Sequence, residues 1–458
     1  MSSSQIILDQ LHTDASAIFT HSIQSSNIPS AFDRHLHFEG KTLIHQPSSG
    51  VEPESIPLES YKRIIMIAFG KAALTMSNAL LDRLPHKPHL RGVCSAPEVP
   101  ARHTWRLRYY AGGHPLPNIE SFKAAREALH LLRRADKDTF VFFLISGGGS
   151  AMLELPLDPR IPLEDTIAFH ETLIASGAPI SEINIVRKYF SAVKGGRLAL
   201  AAPEAKKLSL VLADVPLRDL SAVASSPTLP NQSTPQQCQD VLERYHLLEK
   251  FPKAVREFFE KLNLVSAQPP AAEPIPHNRF DTLLSNQDLV SAARDHAQSV
   301  GYHVVIDNTC DDWDYRDASA YLIKRFRELR QELRGQFSRI CLLSSGEVTV
   351  ALRGPTGCGG RNQQFALTTA FELARTPNDS IVVLSAGSDG IDGNSPVAGA
   401  IADPTTIARA RAYNFDPEAS LARFDACPLF TSLGDTIVTG PTGNNLRDLR
   451  ILLAAENR

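Results

Sequence analysis

The stretch Thr139-Phe-Val-Phe-Phe-Leu-Ile-Ser-Gly-Gly-Gly-Ser150 constrains the fold of this chain more than any other. The apolar run from Phe140 to Ile145 is short and rich in aromatic and β-branched residues. It reads as a strand buried on both faces, as in parallel sheets covered by helices. Gly147, Gly148 and Gly149 then remove the side chains that would hold a ligand away from the backbone. Ser150 suits the cap or first turn of a helix. Successive free N–H groups at a helix start make a concave site for an anion. A plain flexible turn is the alternative, and a glycine-rich loop alone is weak evidence.

The same strand–turn–helix plan recurs. Arg63 to Phe69 reads as a strand, ends in Gly70-Lys71, and leads into a helix over 72–84. Leu208 to Ala213 is a strand with Asp214 at its carboxyl end. In the second half, Arg339 to Ser344 is a strand, followed by Gly346, Glu347 and an alternating strand over 348–353. A Gly/Pro loop over 354–360 ends in Arg361, where a helix begins. Ile381 to Ser385 is a strand followed by Ala-Gly-Ser-Asp389-Gly-Ile-Asp392-Gly. This alternation predicts two α/β units with mostly parallel sheets. Residues 5–26 have the apolar spacing of a helix, and 27–60 read as irregular connection. Four prolines within 266–279 mark a linker, which gives domains over 1–265 and 280–458.

Composition excludes several classes. Apolar residues make up 43% and charged residues 21%, enough for a large core, and the net charge is −3. Neither a nucleic-acid nor a membrane partner is expected, and no apolar run approaches the ~20 residues of a membrane span. The six cysteines show no metal or redox spacing. With no leader-like N-terminus, the expectation is a cytoplasmic protein, monomer or homodimer.

In open α/β sheets ligands gather beyond the carboxyl ends of the strands. The sequence puts Lys71, the 147–150 loop, Asp214, Glu347, Arg361, Asp389 and Asp392 there. That set suits phosphoryl transfer, which depends mainly on positioning and on cations. Lys71 can neutralise a phosphate as a point charge, and Arg361 offers a planar fork. Asp214 or Asp389 can take a proton from a hydroxyl. Asp389 and Asp392 can hold Mg²⁺. Each acid is also a good cap or turn former. His114, between Gly113 and Pro115, suits either a turn or a substrate contact. Arg187-Lys188 and Lys194-Gly-Gly-Arg197 form a basic cluster, read equally as a solvated helix face or as a contact for an anionic substrate. There is no Walker A frame around Lys71, and the 147–152 segment lacks the dinucleotide glycine spacing.

Nine motifs in order are similar to those of the glycerate 2-kinases whose C-terminal part is called the MOFRL domain. They are Gly70-Lys71-Ala-Ala, Gly113-His-Pro-Leu-Pro-Asn118, Ile145-Ser-Gly-Gly-Gly-Ser-Ala151, Asn184-Ile-Val-Arg-Lys188, Lys194-Gly-Gly-Arg-Leu-Ala199, Ser345-Gly-Glu347, Gly359-Gly-Arg-Asn-Gln363, Ala386-Gly-Ser-Asp-Gly-Ile-Asp-Gly393 and Thr439-Gly-Pro-Thr-Gly443. The resemblance implies ATP-dependent phosphorylation of D-glycerate to 2-phospho-D-glycerate with Mg²⁺. It implies an N-terminal Rossmann-like parallel sheet, a C-terminal MOFRL α/β domain and an active site in the cleft between them. Lys71 and Arg361 match the proposed catalytic pair. From the residues themselves, Gly147, Gly148, Gly149, Ser150 and Glu347 are expected to hold nucleotide phosphates, and His114, Lys194 and Arg197 to hold substrate. One segment departs from the pattern: Leu217 and Ser226 stand where the family has glycine, and Arg218 where it has an acid. A hydroxypyruvate reductase-type oxidoreductase, a hydroxy-acid kinase of altered specificity and a binding protein without turnover are the alternatives.

Overall fold

The computed structural model describes residues 3–48, 50–84, 89–101, 104–262, 274–352 and 354–456. The chain divides into two compact units, Ile28–Leu283 and Met1–Asn27 with Leu284–Arg458. This differs from the domain boundaries expected from sequence. Helix Ser3–Ser25 packs on helix Asn286–Ser299 and on the second unit's sheet. Leu8, Leu11, Ala15, Ile18 and Phe19 repeat at helical spacing, and that face is buried. Much of the Pro-rich segment 266–279 lies outside the described residues.

The first unit opens with a helix, Ile28–His35, and a small antiparallel sheet of β1 (Leu36–Glu39), β2 (Thr42–His45) and β3 (Glu54–Pro57). The expected irregular connection is therefore ordered structure. Its main sheet contains β4 (Arg63–Phe69), β5 (Leu90–Ala96), β6 (Leu107–Ala111), β7 (Thr139–Ile145), β8 (Lys206–Leu212) and β9 (Asn278–Leu284). The spatial order is β6-β5-β4-β7-β8-β9, and β6 through β8 run parallel. Every residue of β7 is buried. Val141, Phe143 and Ile145 pack with Ile65, Ile67 and Phe69 beneath Ala124, Ala125, Ala128 and Leu132 of helix Ile119–Leu132. The chain fills one side of β4 with β5 and β6, then crosses to β7 on the other. The winding reverses between β4 and β7, the switch point where such sheets bind ligands.

The second unit carries β10 (His303–Ile306), β11 (Arg339–Ser345), β12 (Ile381–Gly387), β13 (Gly399–Ala402), β14 (Thr436–Ile437) and β15 (Asp448–Ala455). Their order is β10-β11-β15-β12-β13-β14. Only β10 and β11 pair in parallel; β15 runs antiparallel between β11 and β12. The sheet is mixed, not mostly parallel. The expected strand over 348–353 is a single bridge, Thr349 to Asp314, among the described residues. Also among the described residues, no helix is long and apolar enough to cross a membrane.

Candidate functional sites in each unit

In the first unit, the loops after β4 and β7 are tied together at the switch point. Lys71 N–H donates to Gly147 O at 2.8 Å, and Ala72 N–H to Ser146 Oγ at 3.0 Å. Gly70, at φ +115°, lies so close to Ser146 that a Cβ there would sit 2.4 Å from its carbonyl oxygen. The Lys71 side chain runs past Gly148, with its Cγ 3.2 Å from where a Cβ on that glycine would stand, and His114 Cδ2 flanks the same point at 3.0 Å. Lys71 is exposed, and its ammonium has no hydrogen bond or ion pair among the described residues. Burial, and then the charge of Lys71, push the His114 imidazole below its ordinary pKa. His114 therefore stands as a neutral ring beside the lysine at neutral pH.

The glycine loop is less open than its sequence implies. The helix after Gly148 is one turn, Gly149–Met152, so it has no helix-terminal anion site. It also lacks the long helix on which a dinucleotide pyrophosphate rests. The Asp214 carboxylate lies against Gly147: a Cβ there would be 2.0 Å from Oδ2. Gly149 is pressed on Phe69 and Ala224. Ser150 Oγ bonds Ser225 Oγ at 2.8 Å, and Ser225 Oγ donates to Asn184 Oδ1 at 2.8 Å. Ala224, Ser225 and Ser226 all have positive φ (48°, 60° and 56°), so Ser226 occupies a backbone conformation that suits the glycine it replaces.

Two expected substrate contacts are engaged by the chain itself. Lys194 is 1% exposed and ion-paired to Glu154, which also accepts from His170 Nε2 at 3.0 Å. Arg197 donates to the carbonyl oxygens of Lys188 and Ser191. Both close the chain after helix Ile180–Phe190 and hold the turn that follows it. Gly195 and Gly196 put that turn in the left-handed region, at φ 60° and 85°.

In the second unit, a cavity of about 700 Å³ is lined by Glu347, Arg361, Asp389, Asp392 and the glycines 357, 359 and 360. Val348, Val350, Leu352, Ile391 and Phe424 give it an apolar wall. Arg361 opens helix Arg361–Ala374. Its fork is engaged by a residue that sequence reasoning missed: Nε donates to Asp448 Oδ2 at 2.6 Å and Nη2 to Asp448 Oδ1 at 3.0 Å, while Glu347 Oε1 lies 2.8 Å from Nη2. Burial disfavours the Arg361 charge, but Asp448 and Glu347 outweigh it and hold the pKa above its ordinary value. The Arg361 side chain is still 36% exposed and lines the cavity, while its Nε and Nη2 are engaged by the two acids. Because β15 is antiparallel, Asp448 at its start falls at the same end as the loops after β11 and β12. No local motif announces that placement.

Asp392, expected as a metal ligand, is a helix cap. It is 1% exposed and accepts from Asn362 N–H (3.0 Å), Gln363 N–H (2.9 Å), Asn362 Nδ2 (3.3 Å) and Gln363 Nε2 (3.0 Å). The chain's own carboxylate thus fills the anion site of the helix N-terminus. Gly360 is required there: a Cβ would stand 2.2 Å from Asp392 Oδ1. Asp389 lines the cavity and accepts from Ile391 N–H at 3.1 Å.

A parallel sheet with a lysine at its switch point, together with an arginine-bearing cavity in a mixed α/β unit, defines a two-unit α/β protein with a cation at the candidate site of each unit. Comparison with known proteins supplies the family. Residues 14–260 match the domain of unknown function DUF4147, and residues 340–448 the MOFRL family. Glycerate 2-kinase of Pyrococcus horikoshii is 33% identical over 396 residues, spanning 86% of this chain and 88% of that protein. D-glycerate 2-kinase of Thermotoga maritima is 33% identical over 398 residues, spanning 87% and 92%. The crystal structure of glycerate kinase from Thermotoga maritima superposes with a TM-score of 0.82 at 30% identity, covering 97% of this chain and 100% of that one. The chain belongs to the glycerate 2-kinase family.

Proposed function

We propose that this protein transfers the γ-phosphoryl group of ATP to the 2-hydroxyl of D-glycerate. The observation that carries the reading is the exposed Lys71 side chain, its Cγ against Gly148 at the switch point of a parallel sheet and its ammonium without an ion pair among the described residues. A compact, strongly charged donor in that position suits the negative oxygens of a transferring phosphoryl group. The relatives named above carry this activity in their names. In this reading Asp214, whose carboxylate lies beside Gly147, accepts the proton of the attacking hydroxyl. Arg361, steadied by Asp448, contributes its charge to nucleotide phosphate, with Glu347 setting its orientation.

Mg²⁺ bound with nucleotide keeps several waters and needs only one or two protein carboxylates. Asp389 fits that need, and Asp392 does not, since its oxygens are taken by N–H donors. Among the described residues no three acidic, histidine or cysteine groups converge into a dedicated cage. The ion would neutralise phosphate charge. The test is turnover of ATP with a panel of hydroxy acids, with the product position read by phosphorus NMR. Formation of 2-phosphoglycerate is expected. Cofactor oxidation with hydroxypyruvate and no ATP turnover would overturn the reading.

A further inference from the structure

Helix Ile180–Phe190 carries two buried cations without an ion pair among the described residues. Arg187 and Lys188 are each 7% exposed. Arg187 Nη1 reaches only Asn184 Oδ1, at 3.4 Å, and its Nε has no partner. Lys188 has no hydrogen bond or ion pair among the described residues. The acid whose field reaches Arg187 is Glu154, already ion-paired to Lys194 and bonded to His170. A solvated helix face does not account for these residues, because they are covered. A structural ion pair does not either, because among the described residues neither is paired with a carboxylate. Burying an unpaired charge is strongly unfavourable unless an ion completes the site.

The helix geometry places them. Residues three and four apart share a face, so Asn184, Arg187 and Lys188 point the same way. Asn184 bonds Ser225, and Ser225 bonds Ser150, in the loop that also flanks the Lys71 side chain. Two cations and an amide therefore stand on the face bonded to the loop where phosphate is proposed to be handled. In a 2-hydroxy acid the carboxylate sits on the carbon that bears the reacting hydroxyl, so its anchor must adjoin the phosphoryl site.

We propose that Asn184, Arg187 and Lys188 form the subsite for the carboxylate of the acceptor. This rests on the kinase reading, and it names the part of the site that selects an acid over a plain polyol. Burial pushes the Lys188 ammonium down to about 8, so it is still mostly charged at neutral pH.

The test uses the full-length protein with Lys188→Met and Arg187→Met. For Lys188→Met the expected result is a KM for D-glycerate raised at least tenfold. The KM for ATP should stay within twofold and the melting temperature should be unchanged or higher, since an unpaired buried charge is gone. A raised KM for ATP instead would assign the cations to nucleotide phosphate. No change in either constant would make them structural. Either result overturns the proposal. A second measurement does not need turnover: D-glycerate, but not glycerol, should raise the melting temperature of the wild type, and Lys188→Met should lose that shift. If the wild type shows the selective shift but transfers no phosphate, the kinase reading fails and the subsite stands. Equal shifts with both compounds, or none, remove the subsite whatever the enzyme does.

Discussion

Arg361 and Asp448 are joined by two parallel hydrogen bonds, Nε to Oδ2 at 2.6 Å and Nη2 to Oδ1 at 3.0 Å, between residues 87 apart in the chain. The carboxylate is 1% exposed, so the arginine is fixed from its buried side. Asp448→Asn keeps one acceptor oxygen but turns an NH₂ toward the other arginine N–H, so the two-point clamp is lost and Arg361 is freer to turn. We expect kcat to fall by roughly tenfold to a hundredfold, because small misplacement of a charge at a transfer site is costly. A normal kcat with intact folding would make the pair a purely structural clamp.

Lys71→Ala should lower kcat by about a thousandfold or more, the scale of losing a principal charge stabiliser in phosphoryl transfer. The side chain is exposed and unpartnered in the described structure, so the melting temperature should move little. Steady-state rates beside a thermal melt separate the two effects, and a rate near that of the wild type would remove Lys71 from the chemistry.

Asp392 and Asp389 should behave as opposites. Asp392→Asn turns an amide NH₂ toward groups that are themselves donors, and about 2–4 kcal/mol of stability should be lost. Urea unfolding measures it. Asp389→Asn should leave the unfolding midpoint in place and raise the Mg²⁺ concentration needed for half-maximal rate. If the two phenotypes were exchanged, the assignment of cap and metal carboxylate would be reversed.

Acid should destabilise the first unit in two stages. Burial holds the His170 imidazole down at about 4 despite Glu154 beside it. The unfolded chain then binds a proton that the folded one does not, and stability is lost as pH falls from about 6.5 toward 4. Burial alone would raise the Glu154 pKa, but Lys194 and His170 outweigh it and hold the group at about 2. Its contribution, on the order of 3 kcal/mol, is present above pH ~4.5 and fades as pH falls toward 2. Melting temperature against pH should show both, and His170→Gln should flatten the upper stage and weaken the lower one, since His170 is one of the groups that hold Glu154 down.

What the sequence disclosed was mostly what is local. β7 and the turn after β4 are written in contiguous residues, and the similarity of nine motifs carried the family. Relations set by topology were hidden. Asp448 reaches Arg361 only because β15 inserts antiparallel between two strands that come far earlier in the chain. Asp392 and Asp389 look alike in a Gly-rich turn, and only the approach of helix Arg361–Ala374 distinguishes the cap from the carboxylate that lines the cavity. Lys194 and Lys188 look equally basic. The difference is Glu154, forty residues from Lys194 in sequence, which is paired to one and not the other.

The first helix completes a unit whose remaining residues begin at Leu284. During synthesis its apolar stripe must wait while 28–283 are made, on the order of tens of seconds at ordinary elongation rates. A nascent chain halted before residue 284 therefore displays Leu11, Ile18 and Phe19 without their native cover, and should recruit holding chaperones that the finished protein does not.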